Sequence, residues 1–507
     1  MGLRETLART PNWARWLAVL TALRIVIGAF VPLVPEEAYH WNYARHLDWS
    51  YYDHPPMIAW LIALGRLVFG DTPLGVRLVP ALFSAGTAAL AARMARRLYG
   101  DAGAVWSVIL FMLSPILFIA SGTGFPDCPG VFFWALSLAL VWRTLDTGRG
   151  PLWLAVGAAL GLGMLSKYTT AFLGLSILLF LLFSARHRRW LAGPWPYLGA
   201  VVALGVFGPV LYWNWTHDWV SFRMQSVDRF EQAKGLNPLW AAKFLGQQWG
   251  GTLPLTLPLA ALALWKGFRS ERWEERFLSW AAAPMIVFFF ALSWTRGIHL
   301  MWPMPAFLSL TVLMAGLAAR GEGRIARFYG RARPWLIGVA GAGLLAAGLH
   351  AAFFLPGLSP FPGLYGWDAV SRRARELKAE LPADGFYVGI GRKYTCASLL
   401  AFHLNAPCEV HGKNLLGRAG LQYEFWAPLE RIEGRDAVVV VEGSDRMATL
   451  LVPLQERFRS VEAAGVLSIP VGRSPLRPSP PPTFHFFVAR DYRSPRRTGE
   501  PLVGSPP

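Results

Sequence analysis

Apolar runs separated by short breaks fill the first 355 residues, and that alternation leaves few folds open. The runs fall near 13–34, 74–98, 102–120, 130–143, 152–184, 197–215, 252–266, 277–294, 301–319 and 334–355. A helix needs about 20 apolar residues to cross a bilayer, and more when it tilts. The 152–184 run suits two short helices that turn at Ser166-Lys167-Tyr168. With that split the pattern predicts about eleven membrane helices. Composition agrees: 54% of the chain is hydrophobic and only 16% is charged, against about 25% charged in soluble proteins. The first run, Trp13 to Val34, is too long for a signal-peptide core and no small-residue cleavage site follows it. It reads as a retained helix.

A net charge of +18 raises nucleic acid as a partner, but its distribution argues for a membrane. Arginines concentrate in alternate breaks, around 4–15, 93–97, 143–149, 186–189, 266–276 and 320–333. The positive-inside rule makes those loops cytoplasmic. The intervening breaks, 35–73, 121–129, 216–250 and 295–300, are then exoplasmic. After about residue 356 short strand-like runs appear at Phe386–Ile390, Ala437–Val441, Val466–Val471 and Thr483–Ala489. Helical stretches at Asp368–Leu381 and Ser444–Phe458 lie among them. This predicts three parts: a membrane domain over 1–355, a small exoplasmic α/β domain over 356–490, and a disordered tail over 491–507. No Cys or His cluster has metal-ligand spacing. Cys396 and Cys408 could pair if the compartment is oxidising.

Chemistry concentrates in the expected exoplasmic loops. The first carries Glu36-Glu37-Ala38-Tyr39-His40-Trp41 and then Tyr51-Tyr52-Asp53-His54-Pro55-Pro56. Acids held at a membrane interface are costly and tend to mark function. They can serve as a general base or hold a cation. Asp53 and His54 are the residues for a divalent metal, which the chemistry accommodates without requiring. The aromatics around them also fit an interfacial belt. Asp127, between Pro126 and Pro129 across Cys128, is a third acid on the same expected face, or a helix cap. Lys167 interrupts an apolar run, where it either snorkels to the interface or meets a lipid phosphate. Arg296 and His299 are further phosphate candidates. Tyr39, Tyr52 and Trp302 could contact a sugar.

Taken together and in order, these motifs resemble the bacterial protein O-mannosyltransferase-like superfamily, which includes the lipid A aminoarabinose transferases. The first-loop signature carries the likeness. Phe125-Pro-Asp-Cys-Pro, Gly161-Leu-Gly-Met-Leu-Ser-Lys-Tyr-Thr, Trp213-Asn-Trp-Thr-His-Asp-Trp and His299-Leu-Met-Trp-Pro-Met-Pro extend it over about residues 10–320. The resemblance implies a polytopic, mainly α protein of GT-C type. It implies an inverting transferase in the inner membrane, with a polyprenyl-phosphate-linked sugar as donor and an envelope hydroxyl as acceptor. Two positions depart from the pattern. The leading acid is Glu36 where the family usually has Asp, and Asp53-His54 stands where one branch has Glu-Lys. On the residues themselves Glu36 is read as the base that deprotonates the acceptor hydroxyl, with Asp53 and Asp127 shaping the site and Glu37 as a further catalytic candidate. Lys167, Arg296 and His299 are the candidates to stabilise the donor phosphate, and His54 is a further candidate on its own chemistry, since the Lys role of that branch does not transfer to it. A lipid or sugar flippase would share the helices and intramembrane charges. No internal repeat is evident, and the acids cluster on one face, which favours the enzyme. A non-catalytic polymer-binding protein is the third reading.

Overall fold

The computed structural model describes residues 11–226, 235–253, 256–321, 323–353, 362–405, 410–426, 428–443, 447–470 and 481–494. The chain packs as two compact units. The first contains residues 1–28, 54–61 and 77–345; the second contains 29–53, 62–76 and 346–507.

The first unit is helical. Its helices include α1 (Asn12–Phe30), α4 (Pro73–Met112), α5 (Pro115–Gly122), α6 (Asp127–Thr147), α7 (Leu152–Met164), α8 (Ala171–Phe183), α9 (Trp195–Thr216), α13 (Trp273–Leu292), α14 (Met304–Arg320) and α15 (Gly323–Phe353), of which α1, α4 and α15 each have an end in the second unit. Five of the described helices, α1, α4, α6, α9 and α13, are long and apolar enough to cross a membrane. Shorter apolar helices accompany them, including α7, α8 and α14. Gly100 breaks α4 with φ 72°, a left-handed conformation that glycine adopts without a Cβ clash. That break separates the runs expected at 74–98 and 102–120. The turn expected at Lys167 also exists, between α7 and α8. The expected loop 216–250 instead contains two helices, α10 (Val220–Gln225) and α11 (Pro238–Gly250). Their residues are too polar in aggregate to stand out as apolar runs.

Every residue from Met304 to Ala318 is buried, so α14 forms the axis of the bundle core. Large apolar side chains on other helices face outward, among them Val19, Val26, Leu182, Phe183, Val201 and Val287. Such a surface is at home in lipid. Helices α7 and α9 touch backbone to backbone. A methyl built on Gly157 would meet the Gly199 carbonyl oxygen at 2.0 Å, and one on Gly161 would meet the Ala203 carbonyl oxygen at 2.7 Å. Gly157 and Gly161 form a GxxxG pair, the spacing that lets membrane helices approach closely.

The second unit holds a five-stranded sheet of order β2-β1-β3-β5-β4. Its strands are β1 (Phe386–Ile390), β2 (Val410–His411), β3 (Ala437–Glu442), β4 (Phe458–Ser468) and β5 (Thr483–Tyr492). Strand β1 runs parallel to β2 and β3, while β5 is antiparallel to β3 and β4. Val438, Val439 and Val440 are fully buried, as the unbroken apolar run of a central strand requires. Helices α16 (Trp367–Ala379), α17 (Thr395–Leu404) and α19 (Met447–Arg457) pack with the sheet. Strand β4 corrects the expected strand at Val466–Val471. It starts at Phe458, and its exposed edge position leaves no hydrophobic alternation to read. Residues 495–507, most of the expected tail, lie outside the described residues, as does Cys408 with the pairing expected for it.

Close packing of α7 on α9 yields the first prediction. Gly157→Val should destabilise the purified protein by about 1–3 kcal/mol, the usual range for overpacking. Thermal unfolding in detergent measures it. Gly174→Ala on α8, where a methyl meets nothing within 4 Å, is the control and should leave the transition in place.

Candidate active site

Residues 35–45 form a helix, α2 (Pro35–Arg45), in the second unit. Its start is locally encoded. Pro35 occupies the first turn, where its missing N–H costs nothing. The Glu37 side chain accepts the Val34 N–H at 3.1 Å, as in a capping box. Both acids lie in the first turn, the favourable end of the helix dipole. Glu37 is fully buried, while Glu36 is half-buried. The adjacent carboxylates therefore differ: one caps the backbone, and the other is less deeply buried. Glu36 and His40 sit one turn apart and bring a carboxylate oxygen and an imidazole nitrogen within 4.8 Å. That pair is suited to share a divalent cation in this unit.

Asp53, in the same unit, is 5% exposed. It accepts hydrogen bonds from the Tyr39 hydroxyl at 3.4 Å and from the Tyr43 hydroxyl. Burial pushes both phenols well above the ordinary tyrosine range, and the Asp53 charge pushes them further. They therefore remain donors to the carboxylate. Tyr43 also stacks on Tyr51 at 3.9 Å, and the Tyr51 hydroxyl donates to the Tyr43 carbonyl at 3.0 Å. Tyr52 is half-buried, with its ring centroid 6.0 Å from that of Phe425.

The remaining candidates lie in the first unit. Asp127 is the first residue of α6 and makes no cap; it pairs with Lys167 Nζ at 2.5 Å. This pair spans 40 positions and joins the two motifs. Arg296 is buried and His299 exposed. The His299 Nδ1 accepts the Met301 N–H at 3.4 Å, and Trp302 lies 5.8 Å from Phe289. His54 is half-buried. The structure thus groups Glu36, Glu37, Tyr39, Tyr52 and Asp53 in one unit, and pairs Asp127 with Lys167 in the other.

Arg24 was not singled out by sequence. It is 5% exposed and donates to Ser84, to Ser121 at 3.5 Å and to the Phe118 carbonyl at 2.8 Å. Its guanidinium lies 3.9 Å from the Phe118 ring centre. It thereby ties α1 to the end of α5, just ahead of the Asp127 turn. A lone cation inside the first apolar run was the available signal.

The Asp127–Lys167 pair is largely out of solvent, with side chains 9% and 12% exposed. Removing one partner strands the other. Asp127→Ala should cost about 3–5 kcal/mol, and Asp127→Ala with Lys167→Met should recover part of it. A double-mutant cycle read by thermal unfolding checks the coupling.

Residues 53–213 match the family model for dolichyl-phosphate-mannose-protein mannosyltransferase. Over 326 residues the chain is 32% identical to an undecaprenyl phosphate-α-4-amino-4-deoxy-L-arabinose arabinosyl transferase of Pseudomonas paraeruginosa, covering 56% of this chain and 55% of that protein. Over 287 residues it is 26% identical to the lipid A galacturonosyltransferase RgtD of Rhizobium johnstonii, covering 56% of this chain and 60% of that protein. The matches thus span somewhat more than half the length of these curated relatives. ArnT from Cupriavidus metallidurans, crystallised with undecaprenyl phosphate, has a similar structure with a TM-score of 0.64 at 17% identity. That likeness covers 93% of this chain and 97% of ArnT. The resemblance read from the motifs is borne out, and the chain is a polytopic helical membrane protein with the GT-C fold of ArnT and a small sheet-containing C-terminal region.

Proposed function

We propose that this chain is an inverting membrane glycosyltransferase that moves a sugar from a polyprenyl-phosphate donor to a hydroxyl on an envelope lipid, glycan or protein. The observation that carries the reading is the division of labour on α2. Glu37 caps the helix start through the Val34 N–H, while Glu36, half-buried on the same turn, brings a carboxylate oxygen within 4.8 Å of a His40 ring nitrogen. Relatives named for undecaprenyl-phosphate-linked sugar transfer support the donor class.

In the proposed reaction Glu36 takes the proton of the acceptor hydroxyl. That oxygen forms a bond to the anomeric carbon from the face opposite the phosphate. The bond from the anomeric carbon to the phosphate oxygen breaks, and its electron pair leaves with polyprenyl phosphate. The departing group is already acidic, so it needs charge stabilisation more than a proton. Lys167, Arg296 and His299 are the cations proposed for that task. Asp53, held by two phenols, shapes the surroundings of the base. This chemistry does not require a divalent metal ion.

Glu36→Gln keeps the size of the side chain and removes the base. It should lower transfer by about 10²–10⁴-fold, the usual contribution of a positioned base, while donor binding persists. Glu36→Asp should retain part of the activity. Glu37→Gln should be milder, because the amide oxygen still accepts the Val34 N–H. Labelled-sugar transfer beside donor binding measures all three, and EDTA should leave the wild type active. Near-normal turnover of Glu36→Gln removes Glu36 as base, and loss of transfer in EDTA moves the Glu36–His40 pair to a metal role. Translocation without a transfer product would instead favour a flippase.

The basic loops support an orientation with the N-terminus in the cytoplasm and residues 356–490 outside the plasma membrane. Reporter fusions after residue 400 should be active only on the exoplasmic side. Cytoplasmic activity there would overturn the orientation and the acceptor side together.

A further inference from the structure

The C-terminal α/β region carries residues that hold the proposed base helix. Within the second unit, the Tyr394 ring stacks face to face on Tyr39, with centroids 4.0 Å apart and planes 2° from parallel. The Gln422 N–H donates to the Tyr39 hydroxyl at 3.0 Å. The Gln422 side-chain oxygen accepts the Tyr52 N–H at 2.7 Å. One buried residue therefore touches both sides of the Asp53 environment: the phenol that donates to Asp53, and the backbone one residue before it. Gln422 follows Leu421, whose φ of 56° is left-handed. A bulky residue resists that conformation, and it persists only where the surroundings impose it. Tyr394 precedes α17 and is half-buried, with one face of its ring against Tyr39. Burial raises the Tyr394 phenol above the ordinary tyrosine range, and the Glu36 and Asp53 charges add to this. The ring thus stays neutral within reach of both carboxylates.

We propose that Tyr394 and Gln422 are positioning residues of the transfer reaction, a clamp by which the C-terminal region sets where α2 and Asp53 stand. The inference rests on the reading of Glu36 as base, and it deepens that reading by giving the C-terminal region a part in the site. Tyr394 acts through its ring against Tyr39. Gln422 acts through its backbone N–H and its amide oxygen. Neither needs to touch the reacting atoms. A base displaced by about an ångström loses most of its effect while the donor still binds.

The test uses the full-length protein with a polyprenyl-phosphate-linked sugar as donor. Tyr394→Leu removes the ring, and Gln422→Met removes the acceptor for the Tyr52 N–H. Both should lower kcat by about 10–100-fold and leave the donor Kd within about twofold, the mark of positioning rather than binding. Tyr394→Phe should recover most of what Tyr394→Leu loses, since it restores the stack. Hydrogen-exchange mass spectrometry should show faster exchange over residues 35–45 in Tyr394→Leu and Gln422→Met, a readout that does not depend on transfer. Wild-type turnover and exchange in both variants would overturn the proposal. So would parallel loss of donor binding and melting temperature, which marks general destabilisation. If the wild type transfers no sugar, the enzymatic reading falls and unchanged exchange over 35–45 removes the clamp as well. If Glu36→Gln stays active while Tyr394→Leu and Gln422→Met slow turnover, the base assignment fails and the clamp stands.

Discussion

Asp53 is buried, and a buried carboxylate is tolerable only when donors replace the water it lost. Tyr39 and Tyr43 supply those donors from successive turns of α2. Spacing of four residues brings side chains to one helix face, so a single carboxylate can hold both. Each phenol is then fixed in turn. Tyr43 is sandwiched against Tyr51, and Tyr39 lies against Tyr394 while accepting the Gln422 N–H. Much of what surrounds Glu36 follows from the need to solvate one internal charge with protein.

Burial of α2 is unusual for its composition. Residues 37–44 are all inside, and they include Glu37, His40 and Asn42. The polar groups are accommodated by specific partners, not by solvent. Glu37 closes the helix start, and Asn42 donates to the Tyr423 hydroxyl at 3.1 Å. Arg66 reaches back to the Ala44 carbonyl at 3.0 Å. Trp41 and Arg45 both donate to Asp71, at 2.7 and 2.8 Å. A helix of this kind cannot be stable by its own propensity. It exists because tertiary partners meet most of its polar groups.

The legible parts of the sequence were those written in local pattern. The apolar runs that became α1, α6, α9 and α13 carry their length and composition in consecutive residues. The Gly100 break and the Lys167 turn are marked by residues that interrupt a helix or a membrane span. Glu36, Asp53, Asp127 and Lys167 stood out as charges beside apolar sequence. The pairing of Asp127 with Lys167 was not legible, because contact between motifs 40 residues apart depends on how α6 meets the turn after α7. Arg24 was hidden in the statistics of its own helix. Tyr394 and Gln422 left no signal at all: a tyrosine and a glutamine in an α/β region say nothing of a helix near the other end of the chain. Strand β4 failed for a different reason, since an exposed edge strand does not alternate.

The Gln422–Tyr39 hydrogen bond joins positions 383 apart, and that separation sets an order of events during synthesis. At translation rates of about 5–20 residues per second, roughly 20–80 s pass between the emergence of the two partners. For that interval α2 has been made and lacks the groups that satisfy Asn42 and Tyr39. The nascent chain therefore carries a polar, aromatic segment that lacks these partners until residue 423 has been made. A chain that stops before residue 422 holds α2 without the Gln422 and Tyr423 groups that meet Tyr39 and Asn42, so the surroundings of Asp53 stay unfinished however well the membrane helices fold.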